Sequence, residues 1–212
     1  MPLPTPALAE FVRLLDLTGI AVFALTGALL AARMRQDFVT MCFFALVTGV
    51  GGGSVRDLLI GAPVFWIHDP LVAPVCLAVP LLAWFTPHRW WQQGRLLEWA
   101  DAAGLAAYSV LGTVKALGYG VPPVAAALMG VITACVGGII RDVLAGQPSI
   151  LMRRELYVTA AALTATLAVV GTLLGLPTAL VWTFAAVAGF CLRGAAMHWD
   201  LTLPIYGGKK DD

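Results

Sequence analysis

Charge is scarce in this chain. Asp, Glu, Lys and Arg make up 12% of its 212 residues, about half the roughly 25% of a usual soluble domain. The 13 basic and 12 acidic residues leave a net charge of +1, with no basic face to neutralise phosphates, so no nucleic-acid partner is expected. Cysteine is sparse too. Cys42, Cys76, Cys135 and Cys191 stand singly in apolar runs, without metal-ligand spacing or a disulfide framework, and are read as buried thiols. His68, His88 and His198 lack a ligand partner at metal spacing, which argues against a metal centre, and nothing calls for a cofactor. No nucleophile sits in an acid, base or oxyanion frame, so the chain is not read as an enzyme. Gly49-Val50-Gly51-Gly52-Gly53-Ser54 loosely matches a dinucleotide fingerprint, but its last glycine and the surrounding βαβ unit are missing. Met1 to Glu10 holds three prolines and no basic stretch, so the first hydrophobic segment is expected to stay in the mature protein.

What is abundant is apolar. Hydrophobic residues reach 60% and the mean hydropathy is +0.87, the composition of an integral membrane protein. Apolar runs predict spans at about 11–32, 38–60, 69–86, 95–118, 123–145, 154–175 and 178–196. The runs are continuous, whereas barrel strands alternate over about ten residues, so the fold class is all-α. Residues 1–212 form a single membrane domain. Trp66, Trp84, Trp90, Trp91 and Trp199 fall near span ends, where aromatic belts belong.

The chain repeats itself. A shift of 85 residues pairs Gly52-Gly53 and Arg56-Asp57 with Gly137-Gly138 and Arg141-Asp142, and Gly61 and Pro63 with Gly146 and Pro148. There are 15 identities over residues 16–71, where this biased composition gives about four or five by chance. Repeat one spans about 11–86, repeat two about 95–175, and a seventh helix about 178–196. Three spans per repeat force the second copy to run upside down, the plan in which substrate and ion sites lie near the midplane between broken helices. Arg33, Arg35, Arg89, Arg95, Arg153, Arg154, Arg193, Lys209 and Lys210 gather on one side and Arg13 alone on the other. This places the N-terminus outside and the C-terminus in the cytoplasm, in a cell inner membrane.

Three cations fall outside that count: Arg56, Arg141 and Lys115. A charge at membrane depth needs a partner or a water-filled cavity. Depth along the spans pairs Asp16 with Arg56 near the outer face and Asp101 with Arg141 near the inner face, as gates or pore-wall charges or as buried struts. Asp57 and Asp142 directly follow the arginines and suit capping of backbone donors in the next segment. Lys115 has no counterpart, since position 30 is leucine; it either snorkels to the interface or projects into a pathway, where its motion would sense voltage. Gly51, Gly52 and Gly53, with Gly137 and Gly138, point to helices that kink or unwind and free carbonyls for an ion path; close helix packing is the alternative.

Gly51-Gly52-Gly53-Ser54-Val55-Arg56-Asp57, its partner Gly137-Gly138-Ile139-Ile140-Arg141-Asp142 and the three, three, one arrangement of spans resemble the trimeric intracellular cation channel family along nearly the whole chain. The resemblance implies a homotrimer with one pore in each protomer, lined by spans two and five, conducting potassium and sodium ions among membrane lipids. Animal members carry a Lys-Glu-Val element in span four; here the nearest stretch is Lys115-Ala116-Leu117. The compact loops look prokaryotic. The other reading of broken inverted repeats is a secondary transporter for a small solute such as glycine, with which some bacterial relatives have been associated.

Overall fold

A computed structural model describes residues 6–86, 96–152 and 155–204 of the chain. Among them are eight α-helices: α1 (Pro6–Arg33), α2 (Phe38–Leu59), α3 (Phe65–His68), α4 (Val72–Phe85), α5 (Leu96–Gly118), α6 (Pro123–Leu144), α7 (Tyr157–Leu173) and α8 (Thr178–His198). A single 3-10 turn covers Ile150–Met152, and the one strand-like contact among the described residues is an isolated bridge between Glu155 and Thr202. The seven expected runs coincide with α1, α2 and α4 to α8; the four-residue α3 was not anticipated. Among the described residues, four helices have the length and composition to cross a bilayer: α1 from Asp16, α2, α6 and α8. Apolar α4 and α7, at 14 and 17 residues, reach only about 21–26 Å at 1.5 Å per residue, against a hydrocarbon core of roughly 30 Å.

The helices pack in two groups of three with one more alongside. Helices α1, α2 and α4 pack on one another, as do α5, α6 and α7, while α8 lies against α5 and α7. The two triplets meet through α2 on α6 and α1 on α5. At the second contact Phe23 and Tyr108, 85 positions apart, meet edge to face with ring centroids 5.2 Å apart.

The crossing of α2 and α6 is where the glycines act. A Cβ at Gly52 would run into the carbonyl oxygen of Thr133, and one at Gly137 into the carbonyl oxygen of Thr48. These two collisions are the same pair of positions exchanged between the repeats. Without side chains the backbones approach closely, as small residues permit between membrane helices. Both helices remain α-helical through Gly49 to Gly53 and through Gly137 and Gly138, so the expected unwinding is absent, because the backbone keeps its own hydrogen bonds and the missing side chains are taken up by the crossing.

Other expectations shift. Cys76 and Cys135 are buried, but Cys42 is half-buried and Cys191 exposed, since α8 turns one face outward. Trp84 and Trp199 are exposed as belt residues would be; Trp66 instead donates its indole N–H to the Ser54 hydroxyl at 3.0 Å. Arg89, Trp90, Trp91, His88, Arg95, Arg153, Arg154, Lys209 and Lys210 lie outside the described residues.

At one end, Arg13 grips Asp69 with Nε–Oδ2 at 3.1 Å and Nη2–Oδ1 at 2.9 Å. The guanidinium hydrogen bond, with help from the Leu71 N–H, holds the Asp69 carboxyl below its usual range. A depressed carboxyl contributes stability that is present above its unfolded value of about 3.9 and lost as pH falls through the folded value. The gain is small because the pair faces solvent. Thermal unfolding should therefore separate the wild type from Asp69→Asn at pH 6, the gap closing on acidification towards pH 2. Gly52→Ala and Gly137→Ala should each lower stability by about 1–3 kcal/mol in thermal unfolding, the usual cost of overpacking. Gly118→Ala, with open space at its Cβ, should not.

Candidate functional site: two charged clusters at the α2–α6 crossing

Each duplicated arginine closes the last turn of its helix, and the turn that follows explains the repeated glycine and proline. After α2, the Gly61 N–H bonds to Leu58 O (3.3 Å) and the Ala62 N–H to Asp57 O (2.8 Å); after α6, Gly146 bonds to Val143 O and Gln147 to Asp142 O, both at 3.0 Å. Gly61 and Gly146 are left-handed, with φ of 68° and 63°, as this pair of C-terminal bonds requires. The chain thereby doubles back towards the aspartate it has just left. The Phe65 N–H donates to Asp57 Oδ2 at 3.0 Å, and the Ile150 N–H to Asp142 Oδ2 at 3.0 Å. Both aspartates thus cap backbone donors of the next segment, as their sequence position suggested. Each also binds its own arginine through the other oxygen, at 2.8 Å from Arg56 Nε to Asp57 Oδ1 and 2.9 Å from Arg141 Nε to Asp142 Oδ1. Neighbouring residues diverge by about 100° around an α-helix; the length of the arginine side chain brings them together.

Beyond this shared frame the clusters differ. Arg141 also donates from Nη1 to Asp101 Oδ1 and to the Thr26 hydroxyl, both at 3.0 Å, so the expected Asp101–Arg141 pair is present. Arg141, Asp101 and Asp142 are all buried. The expected Asp16–Arg56 pair is not among the described ion pairs. Asp16 is half-buried, near enough to Arg56 and Lys115 for their charges to bear on it, but both cations sit on Asp57. Lys115 Nζ lies 2.8 Å from Asp57 Oδ1, the atom that Arg56 also holds. Lys115 has therefore turned inward, away from the interface. Leu30 and Leu111 account for part of the asymmetry: Leu30 stands where repeat two has Lys115, and Leu111 where repeat one has Thr26.

Phe65 lies over the first cluster. Its ring centroid is 5.9 Å from Arg56 Cζ and 5.8 Å from Lys115 Nζ, within the reach of cation–π attraction. Gly53 leaves the space the ring occupies, since a Cβ there would be 2.6 Å from Phe65 Cε1. Gly138, its equivalent, faces the Tyr157 hydroxyl, Arg141 and Asp101, and Gly51 packs on Ile140. The second cluster opens instead on a polar cavity of about 100 Å³, lined among others by Glu98, Asp101, Arg141, Asp142, Glu155 and Arg193. Arg193, counted from sequence as a flanking cation, is buried at 2% exposure. It bonds Glu155 and lies 5.3 Å from the Tyr157 ring centroid. The sequence pointed to backbone donors for the aspartates but not to which ones, Phe65 and Ile150, for which the repeated Gly-x-Pro was the available signal; the hydroxyl of Thr26 was missed.

Two separate buried charge clusters, one at the end of each crossing helix and each with its own set of partners, thus sit in an otherwise apolar protein. The chain as a whole is similar to known proteins. A sequence model described as glycine transporter matches residues 13–88 and again 98–173, two matches separated by the 85 residues of the internal repeat. A UPF0126 membrane protein of Vibrio cholerae is 38% identical over 93% of this chain and 83% of its own length. The UPF0126 inner membrane protein YadS of Escherichia coli is 36% identical over 91% and 94%. Among solved structures, the trimeric intracellular cation channel orthologue from Rhodobacter sphaeroides superposes with a TM-score of 0.83 at 40% identity, covering 91% of this chain and all of that one. A second cation channel of this kind gives 0.81 at 27% identity over 93% and 98%. The chain belongs to the family these matches define, that of the trimeric intracellular cation channels.

Proposed function

We propose that this protein is a passive channel for monovalent cations, potassium and sodium, in a cell inner membrane, with its N-terminus outside and its C-terminus in the cytoplasm. In this reading it works as a homotrimer with one path through each protomer, built from two inverted repeats and a seventh helix, with lipids around it. The observation that carries the reading is the carboxylate of Asp57 shared by Arg56 and Lys115, 2.8 Å away on each side, in a family whose structural relatives are cation channels. The path passes beside the α2–α6 crossing, between the two clusters. Gly52 and Gly137 set the separation of the helices. Gly51, Gly53 and Gly138 are positions on the path where a missing side chain leaves room for a hydrated ion, once the side chains now against them move aside.

The clusters have different tasks. Arg141 is held by two carboxylates and a hydroxyl, and it fixes its helix end together with Asp101. Arg56 is held by a single carboxylate that also carries Lys115, with Asp16 as a nearby second anion. That end is the gate. A lysine lodged there repels cations until it leaves Asp57, and its displacement through about a third of the membrane field contributes about 0.8 kcal/mol per 100 mV.

Purified protein in planar bilayers with a potassium gradient should give discrete unitary currents that reverse towards the potassium potential. Saturable glycine uptake in vesicles without such currents would replace the channel by a solute transporter. Lys115→Ala should raise open probability near zero voltage and flatten its voltage dependence; unchanged gating would remove lysine from the gate. Arg141→Ala strands two buried carboxylates and should lower stability by about 3–5 kcal/mol. Arg56→Ala should cost clearly less, because Lys115 stays on Asp57. Equal losses in thermal unfolding would contradict this division of tasks.

A further inference from the structure

The ring of Phe65 has a place in the first cluster that the gate reading leaves unused. Its backbone N–H is tied to Asp57 Oδ2 at 3.0 Å, so the ring is registered on the carboxylate that carries both cations. The centroid is nearly equidistant from them, at 5.8 Å from Lys115 Nζ and 5.9 Å from Arg56 Cζ. Gly53 forms the seat of the ring, because any side chain there would strike its edge. The second cluster supplies an internal control. Ile150 occupies the equivalent position with the same backbone bond, 3.0 Å to Asp142 Oδ2, but offers no π face. There the arginine has Asp101 and Thr26 to hold it, and position 30, equivalent to Lys115, is leucine. The aromatic ring thus occurs in the half where one carboxylate must retain two cations.

We propose that Phe65 is a positioning residue that retains Lys115 and Arg56 on Asp57, and so sets how readily the first cluster opens. The negative face of the ring attracts both cations, and its bulk fills the side of the cluster that Gly53 leaves open. Lys115 leaves Asp57 only by sliding off the ring or by displacing it.

The proposal rests on the geometry of the cluster, and its first test is independent of any current. Amine labelling of Lys115 in the purified protein, followed by mass spectrometry, should be about fivefold faster in Phe65→Ile than in the wild type, the size of one partly desolvated cation–π contact. Phe65→Tyr should label as the wild type does. Labelling in Phe65→Ile at the wild-type rate overturns the proposal, as does equal acceleration in Phe65→Tyr. In planar bilayers, Phe65→Ile should raise the odds of opening by a similar factor with unitary conductance unchanged, and the effect should vanish in a Lys115→Ala background. An equal effect with and without Lys115 would also overturn it. Absence of any current from the wild type would count against the channel reading alone, leaving the labelling result to decide the role of Phe65.

Discussion

A carboxylate that binds in two directions organises this protein. Asp57 and Asp142 each hold the preceding arginine with one oxygen and the backbone N–H of the residue eight positions later with the other. Remove that carboxylate and a buried guanidinium loses a counter-ion, for Arg56 the one it is bonded to, while a returning loop loses its anchor. Both losses are severe where no bulk water can replace the missing partner. The left-handed glycines after each helix exist to bring that loop back, and the repeated prolines follow them. A motif that reads as a charged pair in an apolar run is thus a complete turn, with its charge, its cap and its return path specified together.

The repeat gives the protein two such turns, and the crossing of α2 and α6 sets them at separate ends of one contact. Gly52 and Gly137 make the crossing possible by exchanging the same collision. From that shared frame the halves diverge through a few substitutions. Repeat one keeps Thr26, which reaches across to Arg141; repeat two gains Lys115, which reaches across to Asp57. Each half therefore completes the other's cluster, once with a hydroxyl and once with a charge. The hydroxyl adds to an arginine already held by two anions. The lysine adds a second cation to an anion already in use. One end is over-determined and the other balanced, which is why we propose a fixed strut at the first of these and a gate at the second.

Much of the candidate site is legible in the amino-acid sequence. Scarce charge in long apolar runs implies the helices, because a bilayer leaves few other ways to satisfy a backbone. The 85-residue shift singles out the glycine and arginine–aspartate elements, and depth along the spans brings Asp101 to Arg141. The same argument fails for Asp16 and Arg56. Depth says which residues share a level, not which side chains meet: Arg141 reaches both its neighbour Asp142 and Asp101, whereas Arg56 stays on Asp57 together with Lys115, a cation that the second cluster lacks. The glycine run misleads in a similar way: missing side chains permit either an unwound helix or a close neighbour, and the carbonyls of Thr48 and Thr133 are the neighbours.

The sequence by itself determined the helical membrane fold, its duplication and the residues that carry charge into it, since each follows from hydropathy, periodicity and the high cost of an unpaired ion in an apolar medium. The tertiary structure alone decided the partners. Lys115 turns to Asp57, Arg193 to Glu155, Trp66 to Ser54 and the ring of Phe65 to the space at Gly53. Those choices depend on distances of a few ångströms between separate segments of the chain, and no spacing along one helix encodes them.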